Sequence, residues 1–286
     1  EGALPDSITH AEILHNFVKP PIHGWAVGRL RDRLPDGLPA AELSRLYHQL
    51  AAWTRFWLDH RRAPGHALPH YEHGNDSGWD NATVFQGRGV VQAPDLAAFL
   101  VVQMRELARL ARETGDAVAA TRWTSEAATM SSALLAELWN GSRFTSRVVG
   151  GERRATAGLL EHLPIVLGPR LPRDVREKVS AAVAEHLTPV GLATERPDSP
   201  LYEADGYWRG PVWAPATVLI EDGLRRGGAT ELADVISARF RAACEKSGFA
   251  ENFDALSGEG LRDRAYTWTA GAYLLLAGDA ERRAAG

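Results

Sequence analysis

Apolar residues recur every three or four positions along most of this chain, the spacing that places them on one face of a helix. Two clear examples are the stripe that begins at Leu96 and the stripe within 40–60. The predicted helices cover 8–17, 24–34, 40–60, 96–114, 158–167, 173–187, 212–224, 230–244 and 266–276. One more helix follows directly after 96–114 and runs to Leu138. The pattern therefore predicts about ten helices and no strand.

The connections between the predicted helices are of two kinds. Those inside a helix pair are short, as in GPRLPRD and RRGGA. Those between pairs are long and cover 61–93, 140–157, 188–211 and 247–265. Consecutive antiparallel hairpins joined in this way place their long loops at one end of the helical array. We expect an all-α toroid that forms a single domain over 1–286.

Composition and net charge limit the classes of partner that this chain is expected to bind. The 286 residues are 45% hydrophobic and 24% charged, as in an ordinary globular protein. A net charge of −4 supplies no basic field, so we expect no nucleic-acid or membrane partner. No apolar run approaches the ~20 residues that span a bilayer. Cys244 is the only cysteine, and arginine and alanine are abundant, so we expect a cytoplasmic bacterial protein.

Three stretches in or beside the long loops combine acids with aromatic and amide side chains. They are HGNDSGWDNATVF at 73–85, LYEADGYWRGPVWAP at 201–215, and FAENFDALSGEG at 249–260 followed by YTWTAG at 266–271. Indole faces stack on the C–H faces of sugar rings, and carboxylates and amides bind hydroxyls. The stretches indicate a carbohydrate site. The alternative is that the tryptophans belong to the core, and for Trp79 and Trp208 both interpretations stay open.

These stretches resemble a known family. GWDNA, YWRGPVWAP, ENFDALSGEG, YTWTAG and the segment KPPIHGWAV at 19–27 are similar to signature stretches of glycoside hydrolase family 63 and its bacterial relatives. That clan includes mannosylglycerate and glucosylglycerate hydrolases. The resemblance runs from Lys19 to Gly271. It implies an (α/α)6 barrel and inverting hydrolysis of a small α-glucoside or α-mannoside, with no cofactor and no metal.

The resemblance also assigns roles. It makes Asp80 the general acid and Glu251 the general base. One carboxyl group must be protonated and the other ionised, and an inverting enzyme holds the two roughly 6.5–9.5 Å apart to admit water. Asp76 lies where relatives often have Glu, and we expect it to bind sugar hydroxyls or to orient its loop. The other residues expected to bind substrate are Trp79, Asn81, Tyr207, Trp208, Arg209, Gly210, Trp213 and Trp268.

Other residues compete for these roles. The remaining acids of the motifs are Glu72, Glu203, Asp205, Asp254 and Glu259. Arg209 either binds a carboxylate of the substrate or braces a structural acid. The spacing of His66, His70 and His73 suits a metal, but the loop lacks cysteine and we expect no zinc. The stretch from Asp76 fails as a calcium loop because glycine and asparagine occupy the wrong positions.

Two alternative functions remain at this point. Another sugar enzyme on the same kind of toroid, an epimerase or a lyase, would use His or Tyr as its acid–base group. A non-catalytic carbohydrate-binding protein would not need two separate acid-bearing loops. A complete barrel has twelve helices, so we expect this chain to lack the first ones: it is a fragment, or the first hairpin is missing or supplied elsewhere.

Overall fold

A computed structural model describes residues 2–87 and 89–285, and the chain within these ranges is mostly helical. The helices are α1 (His23–Arg31), α2 (Ala40–His60), α3 (Gly74–Ser77), α4 (Pro94–Glu113), α5 (Ala117–Leu138), α6 (Arg173–Ala184), α7 (Ala214–Arg226), α8 (Thr230–Ser247) and α9 (Thr267–Ala285). Two 3₁₀ segments cover Thr83–Phe85 and Leu159–Arg170. The all-α class predicted from the periodicity is confirmed.

The expectation of no strand is wrong, although every strand is only two or three residues long. The strands are β1 (Ser7–Ile8), β2 (Ile13–Leu14), β3 (Val91–Gln92), β4 (Ser146–Val148), β5 (Arg153–Arg154), β6 (Asn252–Phe253) and β7 (Gly260–Leu261). All of their pairings are antiparallel. They brace loops and form no layer of the core.

The helix predicted over 8–17 is also wrong, because β1 and β2 form a hairpin there. The hydroxyl of Thr9 explains the difference. It accepts the N–H groups of Ala11 at 3.2 Å and Glu12 at 3.0 Å, so the backbone turns back instead of continuing as a helix. Periodicity alone does not reveal this competition between side chain and backbone.

A third difference concerns 158–167, predicted as an ordinary helix. The segment Leu159–Arg170 is a 3₁₀ segment with Pro164 and Pro169 inside it, and Gly168 has φ of 53°. Proline supplies no N–H for a helical hydrogen bond, so the regular ladder cannot continue. Its apolar residues are nevertheless buried, which is why the pattern looked helical.

Two compact units divide the described chain. The first comprises the described parts of 1–80, 87–140 and 145–154. In it, α4 packs against α1, α2 and α5. An aromatic cluster joins α2 to the loop that follows it: Trp57 lies 5.6 Å from Trp53 and 5.6 Å from Tyr71, centroid to centroid, both edge to face. This cluster anchors the loop that leads to Asp80.

The second unit comprises 81–86, 141–144 and the described part of 155–286. In it, α7 packs against α8, α9 and the 3₁₀ segment Leu159–Arg170. Phe240 of α8 meets Phe253 of β6 edge to face with centroids 5.9 Å apart. This contact holds the β6–β7 hairpin, and Glu251 immediately precedes it. The expectation of one domain over 1–286 stays a prediction.

A membrane-spanning helix needs about 20 apolar residues. None of the helices within the described ranges is both long and apolar enough to cross a bilayer.

Candidate active site

Local capping shapes the loop that carries Asp80. Helix α3 begins after His73, whose Nδ1 accepts the N–H of Asn75, while the Asp76 carboxylate accepts the N–H of His73. This reciprocal pair is a capping box. The helix ends at Gly78, whose φ of 72° lies in the left-handed region that glycine adopts without strain. One short turn thus delivers Trp79 and Asp80.

Asp76 is almost fully buried, at 1% exposed. Its carboxylate accepts backbone N–H groups from Val18 at 3.1 Å and from Glu72 and His73 at 3.0 Å each. Arg61 lies 3.5 Å from it. Of the two roles expected for Asp76, these contacts favour orienting the loop over binding sugar hydroxyls.

Asp80 differs from Asp76 in its surroundings. The residue is half-buried, and its carboxylate forms no hydrogen bond or ion pair with any residue that the structure describes. Its neighbour Trp79 is buried, with 5% of its surface exposed. A carboxyl group that is partly shielded and has no protein partner is available to donate to or accept from a ligand.

The side chain of Asn81 forms hydrogen bonds with the backbone of the GYWRG stretch at 206–210. Its Nδ2 donates to the carbonyl of Gly206 at 3.0 Å, and its Oδ1 accepts the N–H of Trp208 at 3.0 Å. The two bonds bracket Tyr207. They give Asn81 a structural task, so direct sugar binding by this residue stays a prediction without support from its contacts.

The tryptophans of YWRGPVW stack on one another. The rings of Trp208 and Trp213 are parallel within 8° with centroids 4.0 Å apart. Trp213 has no exposed surface, and its Nε1 donates to the carbonyl of Tyr207 at 2.8 Å. Trp213 is therefore a core residue, and the expectation that it contacts sugar directly has no support. Trp208 is 3% exposed.

Arg209 and Gly210 have local structural contacts. Arg209 donates to the Glu203 carboxylate at 2.8 Å, which agrees with its bracing role and not with a free cation for substrate. Gly210 donates its N–H to Thr194 Oγ1 at 3.0 Å, and a Cβ at this position would lie 2.1 Å from the Glu203 carbonyl oxygen. Glycine is required there by the close approach of two backbones.

Glu251 is positioned entirely through its backbone. Its N–H donates to the Asp263 carbonyl at 2.7 Å, and its own carbonyl accepts Trp268 Nε1–H at 3.4 Å. The preceding carbonyl, of Ala250, accepts the Thr269 hydroxyl at 2.7 Å. The Glu251 side chain forms no hydrogen bond or ion pair with the described residues, although the residue is only 9% exposed.

Trp268 is the most exposed of the four motif tryptophans, with 37% of its surface accessible. Its ring lies 4.8 Å from Tyr266 and 5.5 Å from Trp213, centroid to centroid. An indole that is more than a third exposed and lies beside the backbone of Glu251 is a candidate platform for a sugar ring.

The rival acids are occupied or exposed. Glu72 pairs with Arg61, Glu203 with Arg209, and Asp205 with Arg262, while Glu259 is exposed. Partial burial acts to raise the pKa of Asp254, but N–H groups of Ser257 and Leu256 donate to its carboxylate and hold that pKa below its usual value. Asp80 and Glu251 thus stand apart from the other motif acids.

The sequence pattern missed two residues next to the motifs. Glu195, 1% exposed, accepts the hydroxyls of Thr83 at 2.8 Å and Ser199 at 2.6 Å and so holds the middle of the NATVF stretch. Arg262 has a φ of 60° and lies over the ring of Tyr207. No motif marks either residue, because their roles come from partners distant in sequence.

The histidine-rich loop shows no metal-site geometry. Among the described residues, no three of the His, Cys, Asp and Glu side chains converge as ligands. His73 caps α3, and burial lowers the pKa of His70. The expectations of no metal and no cofactor stay predictions.

Comparison with known proteins extends these observations. The mannosylglycerate hydrolase of one strain of Thermus thermophilus is 32% identical over 142 residues, which cover 48% of this chain and 34% of that enzyme. The mannosylglycerate hydrolase of Rubrobacter radiotolerans is 24% identical over 339 aligned positions, covering 93% of this chain and 75% of that enzyme. The matched part of the first relative is thus about a third of its length.

A solved structure agrees in fold. The GH63 mannosylglycerate hydrolase from another strain of Thermus thermophilus, in complex with glucose, superposes with a TM-score of 0.81 at 24% identity, over 90% of this chain and 74% of that one. This likeness confirms the (α/α)6-barrel fold class expected from the sequence.

The family itself is identified by a sequence profile. Residues 1–269 match the profile described as "Mannosylglycerate hydrolase MGH1-like glycoside hydrolase domain". This match covers the motifs except the last two residues of YTWTAG, and it confirms the resemblance to family 63. The chain belongs to the mannosylglycerate hydrolase MGH1-like family of glycoside hydrolases.

Proposed function

We propose that this chain hydrolyses a small α-glycoside with inversion at the anomeric carbon. Asp80 is the general acid that protonates the leaving oxygen, and Glu251 is the general base that deprotonates the attacking water. One observation carries the assignment: these two motif acids are partly or largely buried and yet lack a hydrogen-bond or ion-pair partner among the described residues. A proton-transfer group must keep its carboxyl free for substrate and water.

Mannosylglycerate and glucosylglycerate are the first substrates to test, since the relatives are named for the former. Trp268 is the proposed stacking platform for the sugar, and Trp79, Tyr207 and Trp208 are the further aromatic residues of the proposed site. A cytoplasmic location is part of the proposal and rests on the single cysteine in the sequence. The proposed binding partner is the substrate itself, a small carbohydrate.

The first experiment measures hydrolysis of a panel of small α-mannosides and α-glucosides, including mannosylglycerate, glucosylglycerate and trehalose. NMR of the fresh product identifies the released anomer. An inverting enzyme releases the β-anomer first. Release of the α-anomer would exclude the two-acid inverting mechanism, and absence of cleavage across the panel by folded protein would exclude hydrolysis of these glycosides.

A second experiment separates the two acids. Asp80→Asn and Glu251→Gln are both expected to abolish turnover of the glycerate glycosides. An α-glycosyl fluoride needs little protonation of its leaving group, so Asp80→Asn retains activity on the fluoride whereas Glu251→Gln does not. Glu72→Gln and Glu259→Gln are matched controls from the same two loops, and both should turn over normally. Equal loss on both substrates in both variants contradicts the assignment of roles.

A further inference from the structure

Two residues in the second unit have strained backbones. Tyr207 has a φ of 63° and Arg262 a φ of 60°, and no other non-glycine residue in the described ranges has a positive φ. Such conformations persist only where the surrounding structure enforces them, and they concentrate at functional sites. The two strained residues also contact each other: the guanidinium carbon of Arg262 lies 4.9 Å from the centroid of the Tyr207 ring.

Hydrogen bonds hold Tyr207 on both sides. The carbonyl of Gly206 and the N–H of Trp208 are bound by the amide of Asn81, each at 3.0 Å. The carbonyl of Tyr207 itself accepts the Trp213 indole at 2.8 Å. The peptides around Tyr207 therefore cannot relax, and the phenol ring stays in place beneath Arg262.

Arg262 is held by the same loop. Its guanidinium forms an ion pair with the Asp205 carboxylate at 2.5 Å and donates to the Asp205 carbonyl at 3.3 Å. It also donates to Oδ1 of Asn252 at 3.5 Å. Arg262 thus connects the loop of 205–207 to the β6–β7 hairpin.

That hairpin sets the position of Glu251. Leu261, which precedes Arg262, pairs with Asn252, and Asp263, which follows it, accepts the N–H of Glu251 at 2.7 Å. The Glu251 carboxylate has no partner of its own among the described residues. Whatever fixes the backbone around 262 therefore also fixes the backbone from which the Glu251 side chain projects.

We propose that Arg262 is a positioning residue for Glu251: clamped between Asp205 and the face of Tyr207, it holds the hairpin that aims the carboxylate. This inference rests on the proposed role of Glu251 as general base. Arg262 acts through the backbone of Asp263 and the side chain of Asn252, so its loss disturbs the alignment of the base more than the affinity for sugar.

Arg262→Gly is the most direct test. Glycine adopts the same φ without strain, so this variant removes the guanidinium and leaves the backbone conformation open to it. We expect kcat to fall about 100-fold and KM to change by less than about threefold, because misplacing a catalytic group by about 1 Å has an effect of this order on rate. Arg262→Lys keeps the cation but not the planar guanidinium, and we expect its kcat to lie between those of the wild type and Arg262→Gly.

Arg264→Gly is the matched control. Arg264 is exposed in the same loop and has no hydrogen bond, ion pair or ring contact with the described residues, so its loss should leave kcat unchanged. Thermal unfolding is followed for each variant. If Arg262→Gly does not fold, Asp205→Asn replaces it as the test variant. It removes the ion-pair partner, keeps Arg262 and should also lower kcat.

The outcomes separate the two claims. A Glu251→Gln variant that keeps turnover defeats the proposed function whatever Arg262 does. An inactive Glu251→Gln together with a folded Arg262→Gly at wild-type kcat defeats only the positioning role. A rise in KM at unchanged kcat also overturns it, because Arg262 would then be a binding residue.

Discussion

At the scale of single residues, Asn81 shows how one amide can organise a loop. Both of its side-chain hydrogen bonds go to backbone groups of the GYWRG stretch at 206–210. An alanine at 81 leaves the Gly206 carbonyl and the Trp208 N–H without these partners, and buried polar groups without partners are destabilising.

We therefore expect Asn81→Ala to lower the free energy of unfolding by about 1–3 kcal/mol, measured by urea denaturation. Asn81→Asp keeps the acceptor for Trp208 but loses the donor to Gly206, and should be destabilised too. Asn75→Ala, in helix α3, is the control and should be close to the wild type. Full stability of Asn81→Ala with a raised KM would instead support the sugar-binding role first expected for Asn81.

The sequence motifs mark the stretches of the candidate site but do not assign each residue a task. Asp76, Trp79, Asp80 and Asn81 are close together in the chain, yet Asp76 binds backbone N–H groups and Asp80 binds nothing among the described residues. The difference arises from partners that lie far away in sequence, such as Val18 for Asp76. Motif position alone does not contain that information.

At the scale of elements, the packing of α1 on α4 depends on Gly24. A Cβ at this position would lie 2.4 Å from the Cα of Gln103, and the N–H of Gly24 donates to Gln103 Oε1 at 3.1 Å. Because the obstacle is the backbone of α4, the two helices would have to separate to admit a methyl group.

Gly24→Ala should therefore lower the free energy of unfolding by at least about 1–3 kcal/mol, the usual range for overpacking. Gly28→Ala in the same helix is the matched control. Its Cβ would approach only Glu106 Oε2, at 3.7 Å, so the higher helix propensity of alanine should leave stability unchanged or raised. Chemical denaturation measures the free energy of unfolding of both variants. Equal changes in Gly24→Ala and Gly28→Ala would mean that the close approach of α1 and α4 does not limit stability.

The long helices were the most predictable elements. The bounds expected for 40–60 agree with α2, and the apolar stripe from Leu96 lies in α4. The predictions were wrong where local chemistry opposes periodicity: the Thr9 hydroxyl turns 8–17 into a hairpin, and prolines make Leu159–Arg170 a 3₁₀ segment. Strands of two residues carry no period at all, so no pattern reveals them.

At the scale of the whole molecule, buried histidines and a buried aspartate change the free energy of unfolding in opposite directions as the pH falls. Burial lowers the pKa of His186 to about 4, even though its Nδ1 donates to the Ala193 carbonyl at 2.9 Å, and burial lowers the pKa of His162 well below its usual value. Burial raises the pKa of Asp95 to about 7, although the Tyr71 hydroxyl donates to its carboxylate.

The signs follow from proton binding. Between roughly pH 4.5 and 6 the unfolded chain protonates His186 while the folded chain does not, so this residue makes unfolding easier as the pH falls, and His162 acts in the same direction. In the same window the folded chain keeps a proton on Asp95 that the unfolded chain releases, so Asp95 opposes the trend. The stability that the two buried neutral histidines contribute is fully present above the ordinary histidine pKa of 6.5. It is lost on acidification.

We expect the slope of unfolding free energy against pH to become flatter in His186→Gln and steeper in Asp95→Asn, each by about 1.4 kcal/mol per pH unit. Urea denaturation at several pH values between 4.5 and 6 measures the slopes. Wild-type slopes in both variants would mean that neither residue titrates as its burial implies.

The attachment of Glu251 has a practical consequence. Its backbone is anchored to Asp263 and Trp268, and its carboxylate forms no hydrogen bond or ion pair with the described residues. Neutralising this side chain at constant size, as in Glu251→Gln, therefore removes no hydrogen bond or ion pair from the described fold. Such a variant is a natural starting point for a glycosynthase, which joins a glycosyl fluoride of inverted configuration to an acceptor, and for trapping an intact glycoside in a crystal.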